Sequence, residues 1–531
     1  MRIALIAAPY PLQEAPSPPL GLGYVAAACE AAGAEVAVFD YVLSQYTPQK
    51  LRHDLDAFQP DIVGTTAVTM NFRAAEAIIR EAKRHRPSLI TMIGGPHVTF
   101  DFENALRDNP ELDIVVLGEG EETIAELLPI ITDRTAWHRV KGIAFMERDR
   151  IHQTGPRPLI EDLDTLPLPS RHLLPLSRYQ ALGYPVTITT SRGCPNQCIF
   201  CVGRRMVGFK VRYRSATKIA DEIETVLSYG FNRINVADDL FTANKGRVRA
   251  VCEEVGRRGL KFSWSAWARV NTVDKETLQI MRDAGCDSIG FGIESGNEEM
   301  LKRVRKGTTL DKARFAVRAC KEVGLRVHAS FIIGLPGETP QSIQDSARFA
   351  EELQAEHGYH LLAPFPGTTV RENIREYDLQ ILTDDWNQYD ANRAITRTSA
   401  IRPEDADAFV AEHNKHYWEQ WIDAVRRRRD GRSTEAEFLM IEGHSRTNLI
   451  YTLLSGDIIE KVGCFSKNGC DPMNKLCDRI TTVTGGDREF VFRCVKSLAV
   501  AGYLKCDVQG TRVEWYWTHN NATDRRPLTA C

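Results

Sequence analysis

Three cysteines stand within eight residues in Gly193-Cys194-Pro-Asn-Gln-Cys198-Ile-Phe-Cys201. The Cys-x3-Cys-x2-Cys spacing puts three thiolates on one tight loop. A four-iron cluster is usually held by four cysteines, so three leave one iron open to an exogenous ligand. Zinc is the other reading, although a structural zinc site takes four nitrogen or sulfur ligands, usually in paired spacings. Downstream, Asp238, Asp239 and Glu294 follow apolar runs. A carboxylate at the end of a buried strand is costly without a partner. That partner can be a ligand, or the N–H groups of a following helix that the acid caps.

The elements that position these residues repeat. Apolar, β-branched stretches at 186–191, 234–238, 262–268, 288–294, 327–334 and 359–364 alternate with helical stretches. Six βα units predict a partial (β/α)6 barrel with active residues at the carboxyl ends of its strands. The cysteine loop follows the first of those strands. In 262–269 the period-2 alternation puts Ser263, Ser265, Trp267 and Arg269 on one side, expected to face the barrel interior. His328 and Ser330 face inward from 327–334 by the same rule. His328 reads either as a catalytic group or as a satisfied core histidine.

Residues 1–132 show five more strand–helix units, with strands at 3–8, 36–40, 61–68, 90–93 and 114–118. Continuous apolar strands between helices predict a parallel sheet covered on both faces, a flavodoxin-like doubly wound domain. Ligands bind beyond the carboxyl ends of such strands. Here those ends carry Pro9-Tyr10, Thr69-Met70, Gly94-Gly95-Pro-His97 and Gly118-Glu119-Gly120. Glycine lets backbone approach a large ligand. Residues 133–185 read as a bridge holding a small hairpin and a Pro-rich extended stretch. Residues 368–430, with Trp386 and Tyr389, read as an extension lining the substrate pocket. They end in Arg426–Arg429, a solvated helix end. Residues 431–531 read as a separate small α+β module, helices followed by a hairpin turning at Gly510, winged-helix-like.

Composition sets the outer bounds. The 531 residues carry 67 basic and 70 acidic side chains, a net charge of −3, which argues against a protein that grips nucleic-acid backbone. No apolar run approaches the ~20 residues of a membrane span. The N-terminal run is too short for a signal peptide and is broken by Pro9 and Pro11. A cytoplasmic location follows, in which the 13 cysteines are ligands or buried thiols rather than disulfides. Cys29, Cys252, Cys286 and Cys320 read as core thiols. Cys464, Cys470, Cys477, Cys494, Cys506 and Cys531 match no zinc or cluster spacing.

The cysteine triplet, with Phe200 before its last member, resembles the signature of radical S-adenosylmethionine (radical SAM) enzymes. Asp238-Asp239 resembles the segment that meets the SAM amino group. Gly290-Phe-Gly-Ile-Glu294-Ser295-Gly296 resembles the motif whose carboxylate holds the ribose, and Gly334-Leu-Pro-Gly337-Glu338 resembles the motif beneath the adenine. Arg269 is a candidate for the SAM carboxylate. With the flavodoxin-like domain in front, residues 1–370 resemble cobalamin-binding, class B members. The resemblance implies a 4Fe-4S cluster on Cys194, Cys198 and Cys201, SAM, and cobalamin. Pro9, Tyr10, Thr69, Met70, Gly94, Gly95, His97, Gly118, Glu119 and Gly120 would then lie around the cobalamin. The Asp-x-His-x-x-Gly motif that supplies a lower axial histidine in many cobalamin proteins is absent. The lower cobalt face is therefore expected to meet a non-coordinating residue or water near 8–10 or 69–70, with His97 not substituting.

The resemblance further implies reductive cleavage of SAM, hydrogen abstraction from an unactivated carbon, and methyl transfer from cobalamin. His328 and Tyr389 are the candidate catalytic side chains. The implied partners are a small-molecule or peptide substrate and an electron donor such as flavodoxin or ferredoxin. An anaerobic oxidative cyclase resembling the Mg-protoporphyrin monomethyl ester enzyme is the alternative. A winged-helix nucleic-acid-binding regulator is a third, disfavoured by the charge balance.

Overall fold

The computed structural model describes residues 1–10, 16–467 and 469–519, the side chain of His416 excepted. The first apolar run becomes β1 (Arg2–Ala7), buried from Ile3 onward. It lies between β2 (Glu35–Asp40) and β3 (Ile62–Thr66), followed outward by β4 (Ile90–Gly94) and β5 (Ile114–Val116), all parallel. The helix Phe72–His85 shows why such segments pack here. Its buried Phe72, Ala75, Ile78, Ile79 and Ala82 recur at helical spacing and make one apolar stripe.

The sheet does not stop at β5. Strands β6 (Ile143–Glu147) and β7 (Arg150–Gln153) continue it antiparallel, Val115 opposite Ala144. The hairpin expected within a bridge is therefore the edge of the first domain. Ile143, Ala144 and Phe145 are buried there, and the hairpin covers the hydrogen-bonding edge that β5 would otherwise expose.

The second sheet begins with β8 (Val186–Ile188). The chain then forms a two-residue ladder between β9 (Ser191–Arg192) and β10 (Arg212–Tyr213). β11 (Arg233–Val236), β12 (Ser263–Ala268), β13 (Cys286–Glu294), β14 (Arg326–Ile333) and β15 (Glu356–Leu361) follow in sequential, parallel order. β8 and β15 do not pair, so the six strands form a partial barrel. On β12, Trp264, Ala266 and Ala268 are buried against the helical layer. Trp267 points the other way, 43% exposed. Its ring lies flat on Gly290 of β13, where a Cβ would stand 2.6 Å from the ring, so the neighbour has to be glycine.

Beyond the barrel come the two-residue strands β16 (Gln380–Ile381) and β17 (Thr396–Arg397), then the helices Pro403–Arg429 and Glu435–Ser455. The arginines at the first helix end pair locally, Arg426 with Asp423 and Arg428 with Glu442. Strands β18 (Cys464–Ser466), β19 (Leu504–Gln509) and β20 (Arg512–Trp517) form an antiparallel sheet against the helices Pro472–Thr484 and Arg488–Val500. This module is not separate, as the sequence suggested. Leu476, Val491, Trp515 and Trp517 share one continuous core with Leu176 and Tyr179 before the barrel. The Thr518 hydroxyl also donates to Ser177 Oγ at 2.8 Å.

Candidate functional site

The cysteine loop leaves β9 at Arg192. Gly193 has φ +114, and a Cβ there would stand 2.3 Å from the Lys210 carbonyl oxygen, so glycine alone lets the loop pass. Each thiol meets an N–H donor. Asn196 Nδ2 is 3.2 Å from Cys194 Sγ, Arg269 Nη1 is 3.4 Å from Cys198 Sγ, and the Gly203 N–H is 3.4 Å from Cys201 Sγ. Such donors stabilise thiolate charge and tune a cluster's potential. Ile199, in the middle of the loop, packs on Met300, Val304 and Leu335 and pins it to the barrel rim. Among the described residues no three His, Cys, Asp or Glu side chains converge as they would on a single metal ion.

The two acids after β11 divide their work. Asp238 is buried and strongly bonded: it accepts from Thr190 N–H at 2.6 Å, Thr190 Oγ1 at 2.5 Å and Ser191 Oγ at 2.6 Å. It ties the end of β8 to β11, and three of its roughly four acceptor sites are taken by that strand end. Asp239 is the exposed one, 3.4 Å from the Gly193 N–H at the base of the cysteine loop. Although the residue is open to solvent, its carboxyl lies against the loop base, and partial desolvation there, with the neighbouring Asp238 charge, raises its pKa.

Glu294 ends β13 at φ +74, the left-handed region that a non-glycine residue rarely occupies. Such strain persists where surroundings impose it, and it clusters at functional sites. Its carboxylate takes a 2.7 Å ion pair from buried Lys306, a residue that no sequence signal singled out. Ser295 turns away. Fully buried, it bonds to Ser346 Oγ and the Asn297 N–H, so its side chain is structural and not a ligand contact. Gly334 and Gly337, both at positive φ, bound a loop closed by Glu338, whose carboxylate accepts from the Gly334 and Leu335 N–H groups. Burial pushes the Glu338 carboxyl up to about 7.

Arg269 is 8% exposed, and its Nε and Nη2 have no partner. Unsatisfied buried donors beside a cysteine loop fit an anionic ligand group. Further along the interior wall, the His328 ring lies 6.0 Å from Trp267, edge to face. His328 is half-buried, and burial lowers its pKa, so the imidazole is neutral near pH 7.

In the first domain a cavity of about 250 Å³ opens at the carboxyl ends of the strands. Gly94, Gly95, Gly118, Glu119 and Gly120 line it, together with apolar side chains such as Leu22, Val25 and Met92. A second cavity, of about 390 Å³, carries Tyr10 and Met70 and lies between the first domain, Thr187 of β8 and Tyr451. Pro9 is half-buried beside it. Thr69 is buried, its hydroxyl 3.3 Å from His97 Nδ1. His97 lines neither cavity. Its ring stacks on Phe72 at 4.0 Å and meets Trp386 at 4.9 Å, and burial lowers its pKa to about 3. It is a packed core histidine.

Tyr389 also needs correction. It is fully buried, its hydroxyl accepting from Arg371 and donating to the Thr383 carbonyl. Trp386 and Tyr389 belong to the core of the first domain and do not face the barrel interior. Among the described residues the C-terminal cysteines form no cluster: Cys477 and Cys494 are buried helix residues, Cys464 and Cys506 sit on different strands, and Cys470 is exposed. Cys531 lies outside the described residues.

Comparison with known proteins gives the same division. Residues 14–128 match the B12 binding domain and residues 188–350 the radical SAM superfamily. An uncharacterised methyltransferase of Pyrococcus horikoshii is 35% identical over 70% of this chain and 81% of its own length. The anaerobic magnesium-protoporphyrin IX monomethyl ester cyclase of Cereibacter sphaeroides is 31% identical over 75% of this chain and 67% of its own. The cobalamin-dependent S-adenosylmethionine radical enzyme OxsB, solved with aqua-cobalamin and S-adenosylmethionine bound, shares the fold. Its TM-score is 0.67 at 18% identity, over 96% of this chain and 82% of that one.

Proposed function

The chain belongs to the cobalamin-binding radical SAM enzymes, and we propose that it methylates an unactivated carbon of a small molecule or peptide. Its cofactors are a 4Fe-4S cluster, SAM and cobalamin. One observation supports this reading most: Arg192 lines the first domain's cavity and directly precedes the cysteine loop, so both cofactor sites meet at one residue.

When bound, these groups supply an electron, an adenosyl radical and a transferable methyl group. The chain's own residues hold and shield them. Cys194, Cys198 and Cys201 ligate the cluster. The unpartnered nitrogens of Arg269 receive the SAM carboxylate, Asp239 faces the cationic end, and Glu294, steadied by Lys306, receives the ribose hydroxyls. Gly334–Glu338 forms the rigid turn under the base. Trp267 and neutral His328 form the wall on which the substrate lies, and His328 is placed to take a proton at a ring nitrogen. The glycine- and apolar-lined cavity of the first domain takes the flat, largely apolar parts of the cobalamin. The cluster needs thiolates kept reduced, which supports a cytoplasmic setting and an electron donor of the flavodoxin or ferredoxin kind. Among the described residues no helix is long and apolar enough to cross a membrane. The C-terminal module we read as winged-helix-like, packed as a brace on the barrel. Buried Trp515 and Trp517 and the Thr518–Ser177 bond support that role better than nucleic-acid contact.

Oxidative cyclisation is the second reading, because the cyclase relative spans both domains. SAM labelled in its methyl group separates the two. Incubated anaerobically with reductant and the holoenzyme, a methyltransferase moves label into the cobalamin fraction. A cyclase releases deoxyadenosine and leaves the label on the sulfur.

A further inference from the structure

Four charged side chains, buried or nearly so, connect the two cofactor-bearing domains. Glu119, in the loop after β5, receives both terminal nitrogens of Arg212 at 2.9 Å each and Nη1 of Arg192 at 3.0 Å. It also accepts from the Ile160 N–H at 2.9 Å. The second nitrogen of Arg192 reaches Glu121 at 2.5 Å. Arg212 closes the network by donating to the carbonyl oxygens of Ile160 and Val207. The side chains of Glu119 and Arg212 are each 5% exposed, and that of Arg192 is 14% exposed.

The placement of this network matters more than its strength. Arg192 and Arg212 are ladder partners in β9 and β10, the base from which the cysteine loop springs. Glu119, Glu121 and Arg192 line the cavity of the first domain. A buried ion network contributes little stability over apolar residues of the same volume, yet losing one member strands a buried charge. Such a network holds one arrangement firmly and tolerates few others. Two sites become coupled when a shared element of this kind is biased by both.

We propose that Glu119, acting through Arg192 and Arg212, is a positioning residue that couples the cobalamin cavity to the cluster loop. Each cofactor then tightens the hold on the other, because the coupling is reciprocal. This rests on the cofactor assignment above. Glu119 touches no reacting atom. Its role is to keep the cavity loop and the base of the cysteine loop in one register.

The test titrates hydroxocobalamin anaerobically into the full chain, with the cluster reconstituted and with it stripped, and follows corrin absorption. The unsubstituted chain is expected to bind the corrin at least about fivefold more tightly when the cluster is present. In Glu119→Gln that ratio falls to about one while iron content per chain is retained. Arg192→Lys keeps the charge but loses the fork, and keeps part of the ratio. Glu121→Gln spares the Glu119–Arg212 pair, guards against a folding defect, and lowers the ratio less than Glu119→Gln. A ratio near one in the unsubstituted chain overturns the coupling. So does a ratio that all three substitutions leave intact. Corrin that binds neither form overturns the cofactor assignment, and the coupling falls with it.

Discussion

At the carboxyl end of the barrel the site is built from thiols, a guanidinium, carboxylates and rings: the cysteine loop, Arg269, Asp239, Glu294 with Lys306, Trp267 and His328. In the first domain the cavity is built from Gly64, Gly94, Gly95, Leu22, Val25 and Met92, with its charges confined to Glu119, Glu121 and Arg192 at one rim. A cluster must be ligated and a charged nucleoside must be oriented, so the barrel carries specific atoms at specific places. A large macrocycle that brings its own metal and its own chemistry asks mainly for shape. The domain that looks chemically empty is therefore no less a cofactor site than the one full of functional groups.

That contrast is easiest to break at the cysteines. Cys194→Ala, Cys198→Ala and Cys201→Ala are each expected to abolish cluster binding and SAM cleavage while leaving corrin bound, if more weakly. Iron analysis and deoxyadenosine formation check this, and retained deoxyadenosine in any one variant would refute the ligand assignment. The converse substitution fills the cavity. At Gly21, on the cavity wall in the helix Leu20–Ala31, an added Cβ meets nothing within 4 Å. Gly21→Phe is expected to lower corrin affinity at least about tenfold and leave iron content unchanged, with helix stability raised by a few tenths of a kcal/mol. An unchanged corrin titration would mean that the cavity is not where the cofactor lies.

Two smaller effects sharpen the division between working and structural polar groups. The Glu338 carboxyl sits at about 7 in the fold, above the ordinary glutamate value of about 4.3. The protonated form is the one the fold prefers. Its contribution is fully present below the unfolded value and is lost as pH rises through the folded one. Glu338→Gln should match the unsubstituted chain in unfolding free energy at pH 4 and exceed it above pH 7.5 by on the order of 3 kcal/mol, with Tm moving in the same direction. Equal Tm values at both pH values would remove the buried carboxyl from the pH dependence. Tyr389→Phe loses bonds to Arg371 and Thr383 and is expected to cost about 1–2 kcal/mol in chemical denaturation, with SAM cleavage unaffected. A large loss of cleavage with unchanged stability would return Tyr389 to the active site.

Much of the barrel was legible because its signals are local. The triplet spacing, the alternation that turns Trp267 inward, and the order of the motifs at Asp238, Glu294 and Gly334 all sit within single elements. What misled was whatever depends on distant pairing. Tyr389 and Trp386 read as pocket residues because an aromatic side chain in an irregular segment carries no direction, and their partners, Phe72 and His97, lie some 300 residues earlier. Asp238 and Ser295 sit in stretches that resemble ligand-binding motifs, yet each bonds to neighbouring backbone and hydroxyl groups, which the sequence does not report. Lys306 left no trace because it is one basic residue in the basic stretch Lys302–Lys306. Only the fold shows that its amine reaches back to Glu294. The Glu119–Arg212 pair joins residues 93 apart through a loop and a two-residue strand, which no periodicity reports.

A single chain carries both cofactors, a statement that metal content can break. Its most direct test is the iron and cobalt content of the full chain, reconstituted anaerobically with iron, sulfide and hydroxocobalamin and freed of unbound metal. Near four irons and near one cobalt per chain is the expected result, with the iron lost and the cobalt kept in the Cys194/Cys198/Cys201 triple alanine variant. Iron retained in that variant, or no cobalt in the unsubstituted chain, would contradict the account.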